Sequence, residues 1–281
     1  NRPTWPQGVP APKGKHAIPA ELNWELWLGT APSRNYNPAY LPAIWRGWVD
    51  FGTGSLGDMG CHFIDVPYRA LKLGYPVAVE TSVGSVYTGF FEEAIYPDSY
   101  PPSAKTHIQF PARENMPAVE MVWYDGGIRP KRPVELLPDE EMGEYDGGII
   151  FDGTKGKIMA GLFGRNPTLL PTRKMKETEL PKSKFDFVEG STEGHQQQWV
   201  KACKQGFGAY TSSSFDKSGP LTETVLMGNL AVRSYNHFET DAKGNRKFNG
   251  RKQLLWDGEN MRITNFEPAN QFVKRTYRGG W

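Results

Sequence analysis

The sequence predicts an α+β fold: an open-faced, mainly antiparallel (mixed) β-sheet with helices packed on one face. Two observations carry this. The elements run helix, several strands, two helices and a short late strand, without the strand–helix alternation of a doubly wound parallel sheet. No Gly-x-Gly-x-x-Gly loop follows a strand either. Gly52, Gly54 and Gly57 match the bare spacing, but they follow an aromatic patch, and Glu80 begins no second mononucleotide unit.

Size and charge narrow the class further. The 281 residues, 38% hydrophobic, suffice for a sizeable core in one large domain or two small ones. A formal net charge of +2 gives no reason to expect nucleic acid or an anionic membrane as partner. No apolar run approaches the roughly eighteen residues that span a bilayer. Cys61 and Cys203 are too few for a disulfide framework and lack metal-site spacing, so they read as separate thiols and no metal site is expected. The 36 aromatic residues counted as Trp 9, Tyr 12 and Phe 15 describe long loops pinned by large rings, which suits a pocket wall or a subunit contact.

Taken in order, residues 1–20 read as an extended, Pro-rich arm or linker ahead of a domain over 21–281. Leu22, Trp24, Leu26 and Leu28 alternate with polar residues, which predicts a strand over 21–29. A turn-rich stretch and a short helical or irregular aromatic patch, LPAIWRGWVDF, follow. Ser55, three residues before Asp58, resembles a capping signature. Apolar residues at 59, 63, 66, 70 and 73 then predict a helix ending at Gly74, kinked or broken at Pro67. Strands are expected within 76–90, over 106–112 and over 118–126, and a hairpin over 147–164 turning at DGTKG. Helices are expected over 193–206, stopped by Gly206, and over 220–238, with a late hairpin or turn-bearing strand over 251–265.

The densest chemistry lies in GSLGDMGCHFID, residues 54–65. On a helix, Asp58 and His62 are four apart and share one face, and Asp65 follows His62 by three. An imidazole titrating near neutrality suits proton transfer, and a carboxylate fixes its tautomer. The same residues also fit a capping Asp58, a core histidine and glycines that allow close packing, so the spacing leaves both readings open. Arg34, Tyr36, Tyr40, Trp45, Arg46 and Trp48 cluster just before, as hydrogen-bond donors and an aromatic wall for a polyol or as a subunit contact. His195 opens a helix behind Glu193 and can approach a pocket or lie in solvent. His16 and His107 read as structural, and the serine run 212–214 as plain loop with no base nearby in sequence.

The runs W27-L-G-T-A-P-S-R-N-Y-N-P-A-Y and W45-R-G-W-V-D-F-G-T-G-S-L-G-D-M-G-C-H62-F-I-D65 resemble the glucose–fructose oxidoreductase / inositol dehydrogenase / rhizopine catabolism (Gfo/Idh/MocA) family, Bacteroidetes-type. F-D-G-T-K-G-K and H195-Q-Q-Q-W-V-K-A-C-K share in the likeness. The resemblance implies a two-domain NAD(P)-dependent oxidoreductase acting on a sugar, sugar derivative or cyclitol, of which this chain is the C-terminal substrate and oligomerisation domain. It implies His62 as general base, Asp58 as its partner or a substrate-hydroxyl contact, and a homodimer or homotetramer built through the sheet face. The Rossmann domain, with its NAD or NADP and the lysine of an E-K-P motif, is expected upstream; no cofactor-binding residue is expected here, and the chain by itself is expected to be inactive. Arg34, Tyr36, Trp45, Arg46, Asp65 and His195 are the candidate substrate contacts. Two alternatives stand beside this: a redox-assisted glycosidase using bound NAD, and a non-catalytic sugar-binding or assembly domain. The likeness is to exported, periplasmic-type members, with a cytoplasmic location left open.

Overall fold

The computed structural model describes residues 5–183 and 188–281, so the first four residues of the expected arm lie outside it. In chain order the elements are α1 (Trp24–Leu28), α2 (Gly54–Ala70), β1 (Ala78–Val83), β2 (Val86–Gly89), β3 (Glu92–Ala94), β4 (Ala104–Phe110), β5 (Val119–Tyr124), β6 (Ile149–Gly153), β7 (Gly156–Ala160) and β8 (Thr168–Leu170). There follow α3 (Lys174–Glu177), α4 (Ser191–Gln205), α5 (Phe215–Ser234), β9 (Phe238–Thr240), β10 (Arg246–Phe248), β11 (Leu254–Asp257) and β12 (Arg262–Ile263).

The architecture is the expected open sheet, mostly antiparallel, with helices against it. Five strands run in the order β12-β11-β1-β4-β5, and each of their pairings is antiparallel. The alternation of β4 shows why one face is covered: Ala104, Thr106, Ile108 and Phe110 are buried, while Lys105, His107 and Gln109 between them are only partly so. The inner face of Val79, Ile108, Phe110 and Leu254 packs on Met227, Leu230 and Ala231 of α5. Thr81 and Thr106, the polar pair on that face, satisfy each other at 2.9 Å. A second layer, α2, lies on α5 through Leu56, Phe63, Ile64 and Val225, and reaches the sheet at Trp123.

Glycine sets how closely the two helices approach. A Cβ on Gly228 would stand 2.2 Å from Leu56 Cδ2, and one on Gly60 would stand 3.1 Å from Val225. Helix-on-helix packing is therefore one use of the glycines in GSLGDMG. The hairpin β6–β7 turns at residues 153–156, as the DGTKG signal predicts, and β8 completes a separate three-stranded sheet.

Several local expectations are corrected. Residues 21–29 hold the single helical turn α1, not a strand. Asn23 Oδ1 accepts the Leu26 N–H at 3.0 Å, and Trp24 and Leu28, four apart, are both buried. Over so short a stretch, alternate apolar residues include an i,i+4 pair, and the cap and the aromatic layer decide between them. Ser55 does not precede α2 but lies buried inside its first turn. The helix begins at Gly54, whose φ of +63° suits only glycine, with Tyr100 filling the space a Cβ would need. It runs through Pro67 and ends at Ala70, short of Gly74. The helix expected over 220–238 begins at Phe215 and ends at Ser234: Ser214 O accepts the N–H groups of Lys217 and Ser218 at 3.0 Å, so one turn forms before Pro220.

Candidate functional site

Helix α2 carries two opposed stripes, and this follows from its sequence. At about 100° per residue, Leu56, Gly60, Phe63 and Pro67 fall on one side, and all four are buried. Asp58, His62, Asp65 and Arg69 recur at intervals of four, three and four on the opposite side, and none of them is buried. The second stripe is a polar row about 16 Å long. Three other parts of the chain border it.

Arg46, on the 3-10 turn Ile44–Gly47, borders the first position. Its Nε donates to Asp58 Oδ1 at 2.8 Å, and its guanidinium lies 4.7 Å from the Trp45 ring centroid and 5.7 Å from that of Trp5. Gly52 makes the approach possible, because a Cβ there would stand 2.5 Å from the Arg46 backbone. Asp58 is therefore held by Arg46, and no hydrogen bond joins it to His62 among the described residues. The exposed Cys61 thiol, beside it, is pushed above the ordinary thiol range by partial desolvation and by the Asp58 charge. A raised thiol is a poor nucleophile.

The His62 ring meets Phe163 edge-on, with centroids 5.1 Å apart. Phe163 sits in the 3-10 turn Leu162–Gly164 at φ +59°, a conformation bulky side chains rarely adopt. The turn is held from both ends. Gly161 N–H donates to Arg165 O at 2.7 Å, and Glu144 accepts from Arg165 and Asn166 at 3.0 Å each. Leu162 docks the turn onto the α2–α5 core.

The far end of the stripe opens on a cleft of about 380 Å³ that Asp65 and Arg69 share with His195, Ser212, Ser213 and Lys217. Arg69 Nε donates to Asp65 at 2.7 Å and its Nη2 to Ser212 O at 3.1 Å. His195 has Ser212 Oγ 3.5 Å from Nδ1 and Ser213 Oγ 3.5 Å from Nε2. The serine run, plain loop by sequence, thus stands beside a histidine seventeen residues away.

The remaining candidates lie elsewhere. Arg34 pairs with Asp50 and, at 2.5 Å, with Asp98. Burial opposes its charge, but the hydrogen bonds to Asp98 and Tyr40 and the two carboxylates raise its pKa above the usual arginine value. Tyr36 meets Trp24 edge-on at 5.3 Å, in the layer that includes Leu28, Tyr40 and Trp48. The structure thus groups Asp58, His62, Asp65, Trp45, Arg46 and His195 along or beside one helix face, and sets Arg34 and Tyr36 in the layer behind. Sequence reasoning missed Arg69, Phe163, Ser212, Ser213 and Lys217. Only Arg69 carried a local signal, its i,i+4 spacing from Asp65.

The glycines of residues 52–57 do not form a dinucleotide-binding loop. Gly52 is filled by the Arg46 backbone, Gly54 by Tyr100 and Gly57 by Thr53, where a Cβ would come within 1.8 Å of Oγ1. The space a Gly-rich loop keeps for a pyrophosphate is taken by this chain's own atoms. Among the described residues no group of acidic, histidine and cysteine side chains is arranged to hold a metal ion, and no helix is long and apolar enough to cross a membrane.

Residues 10–85 match a family model described as "Oxidoreductase family, C-terminal alpha/beta domain". The match spans the aromatic layer, all of α2 with Asp58 and His62, and β1. No curated protein matches the chain.

Proposed function

We propose, from the match of residues 10–85 to the C-terminal domain of the Gfo/Idh/MocA oxidoreductase family, that the polar stripe of α2 is the substrate side of a sugar or cyclitol oxidoreductase. His62 is the general base. As a carbinol C–H bond gives up its electron pair, the O–H proton passes to the imidazole and the C–O bond becomes a carbonyl. Asp58, fixed by Arg46, orients the substrate hydroxyl and offsets the charge His62 gains. Trp45 and Phe163 wall the space, and Asp65 and His195 lie one turn further on. A nicotinamide cofactor in the whole protein would accept the hydride; this chain contributes binding, orientation and the proton acceptor.

One observation carries this reading: an i,i+4 carboxylate–imidazole pair on the face of α2 opposite its core stripe, with the carboxylate held at 2.8 Å by an arginine from another element. The outer sheet face, where Glu80 and Leu255 are exposed, is the surface we assign to self-association into a dimer or tetramer.

The test is the complete protein with NAD⁺ or NADP⁺ and a panel of sugars, cyclitols and aryl glycosides. Reduced nicotinamide accumulating in step with substrate consumed supports the proposal. Aglycone release without net reduction would replace it with redox-assisted glycoside cleavage, and no turnover of any class would favour a binding or assembly role.

A further inference from the structure

We propose that the cleft beside Asp65 seats an oxyanion carried by the substrate, so that the protein takes an acidic sugar bearing a carboxylate or a phosphate ester. The sugar rests on the function proposed above; the anion rests on the cleft itself.

The argument is one of unspent charge. Asp65 contributes the cleft's negative side chain, and Arg69 holds it at 2.7 Å, so the two nearly cancel. Lys217 is different. Its ammonium reaches only the Thr211 carbonyl, at 3.5 Å, and lies 4.8 Å from the Tyr210 ring centroid; among the described residues no carboxylate pairs with it. The adjacent Asp216 is engaged by Ser214 and also feels the Lys217 charge, both of which hold its carboxyl below the usual range, but it makes no ion-pair contact with the ammonium and does not line the cleft. Of the charged side chains that line the cleft, Asp65 and Arg69 offset each other and the Lys217 charge is left over.

The donors are also loosely spent. Both His195 ring nitrogens stand 3.5 Å from a serine hydroxyl, longer than an ordinary hydrogen bond. Ser212 Oγ already donates to Gln198 at 2.8 Å, whereas Ser213 has only the long imidazole contact. Lys217, His195 and Ser213 all line this cleft, and a lysine, a histidine and a serine suit an oxyanion, which can accept from all three; a neutral hydroxyl would leave the lysine charge uncompensated.

The cleft is also well placed. Asp65 follows His62 by three residues on the same stripe, a rise of about 4.5 Å along the helix. An anionic group bound there would put the hydroxyl-bearing carbons of the same small molecule over His62.

The experiment is titration calorimetry on the complete protein with D-glucuronate, D-glucose 6-phosphate and D-glucose, in low and in raised salt. At least one acidic sugar is expected to bind about tenfold or more tightly than glucose, the size of one charge-assisted contact. The better of the two identifies carboxylate or phosphate as the preferred anion. Lys217→Met should erase the preference while glucose affinity stays within about twofold, and Ser213→Ala should reduce it. Raised salt should narrow the gap in the unmodified protein, which keeps the test available if a variant folds poorly. Equal affinity for all three sugars, or a preference that survives both Lys217→Met and salt, would overturn the proposal. The base assignment is read instead from single-turnover cofactor reduction by His62→Gln, so its failure and the failure of the anion site register separately.

Discussion

Asp58 shows how much one side chain's neighbours decide. The i,i+4 spacing to His62 is local and can be read in the sequence. Arg46 is twelve residues away, and its contact depends on the close passage at Gly52, which sequence spacing does not reveal. The Asp58 and Arg46 side chains retain 26% and 31% of their exposure, so their pair contributes little to folding. Arg46→Met should therefore change the unfolding free energy by less than about 1 kcal/mol in a urea titration. The same variant should lower kcat/KM about tenfold or more, because Asp58 loses the bond that orients it. Cys61 reports on the same carboxylate. Alkylation of Cys61, followed by mass spectrometry at pH 7.5, should lag that of an unhindered thiol such as glutathione. In Asp58→Asn it should accelerate, since removing the charge lowers the thiol pKa and raises the thiolate fraction. An unchanged rate would mean that the carboxylate does not bear on the thiol.

Helix α2 was legible as an element but not in its details. Its apolar recurrence marked the helix, while its start and end did not follow the apparent cap at Ser55 or the stop at Gly74. A tertiary contact marks the start, where Asn229 Nδ2 donates to Thr53 O at 2.8 Å, and a local one lies beyond the end, where the Tyr68 hydroxyl donates to Gly74 O at 2.9 Å. The glycines were ambiguous in sequence because a ligand loop and a packing seam need the same absence of a side chain. The structure uses Gly60 and Gly228 as a seam between α2 and α5. Gly228→Ala should therefore destabilise by about 1–3 kcal/mol, since its Cβ would overlap a fully packed Leu56. Gly60→Ala, with its nearest contact at 3.1 Å, should cost less. Thermal or urea unfolding of the two variants side by side checks the order.

At the scale of the molecule, the order of elements foretold the open antiparallel sheet and the helices on it, since both follow from periodicity and turn chemistry along the chain. The candidate site was legible along α2 and as single residues at Trp45, Arg46 and His195, but not as one arrangement. Its walls come from residues 45–46, 163 and 195–217, brought together by packing that no local pattern encodes. Arg34, a candidate substrate contact by sequence, also joins Asp50 to Asp98 across a wide separation, which no local pattern signals. The outer sheet face gives a prediction at this scale. Sedimentation of the complete protein should show a dimer or tetramer, and Val122→Lys, on the outer face of β5 opposite His107, should dissociate it without loss of melting cooperativity. A wild-type monomer would remove that surface from the account.

The central claim is that His62 takes the proton. The most direct measurement is single-turnover cofactor reduction by the complete protein at saturating substrate, comparing the unmodified chain with His62→Gln. Glutamine keeps much of the shape and cannot act as a base, so the rate should fall by about 10² or more while substrate affinity stays within severalfold. An unchanged single-turnover rate in His62→Gln would contradict the account.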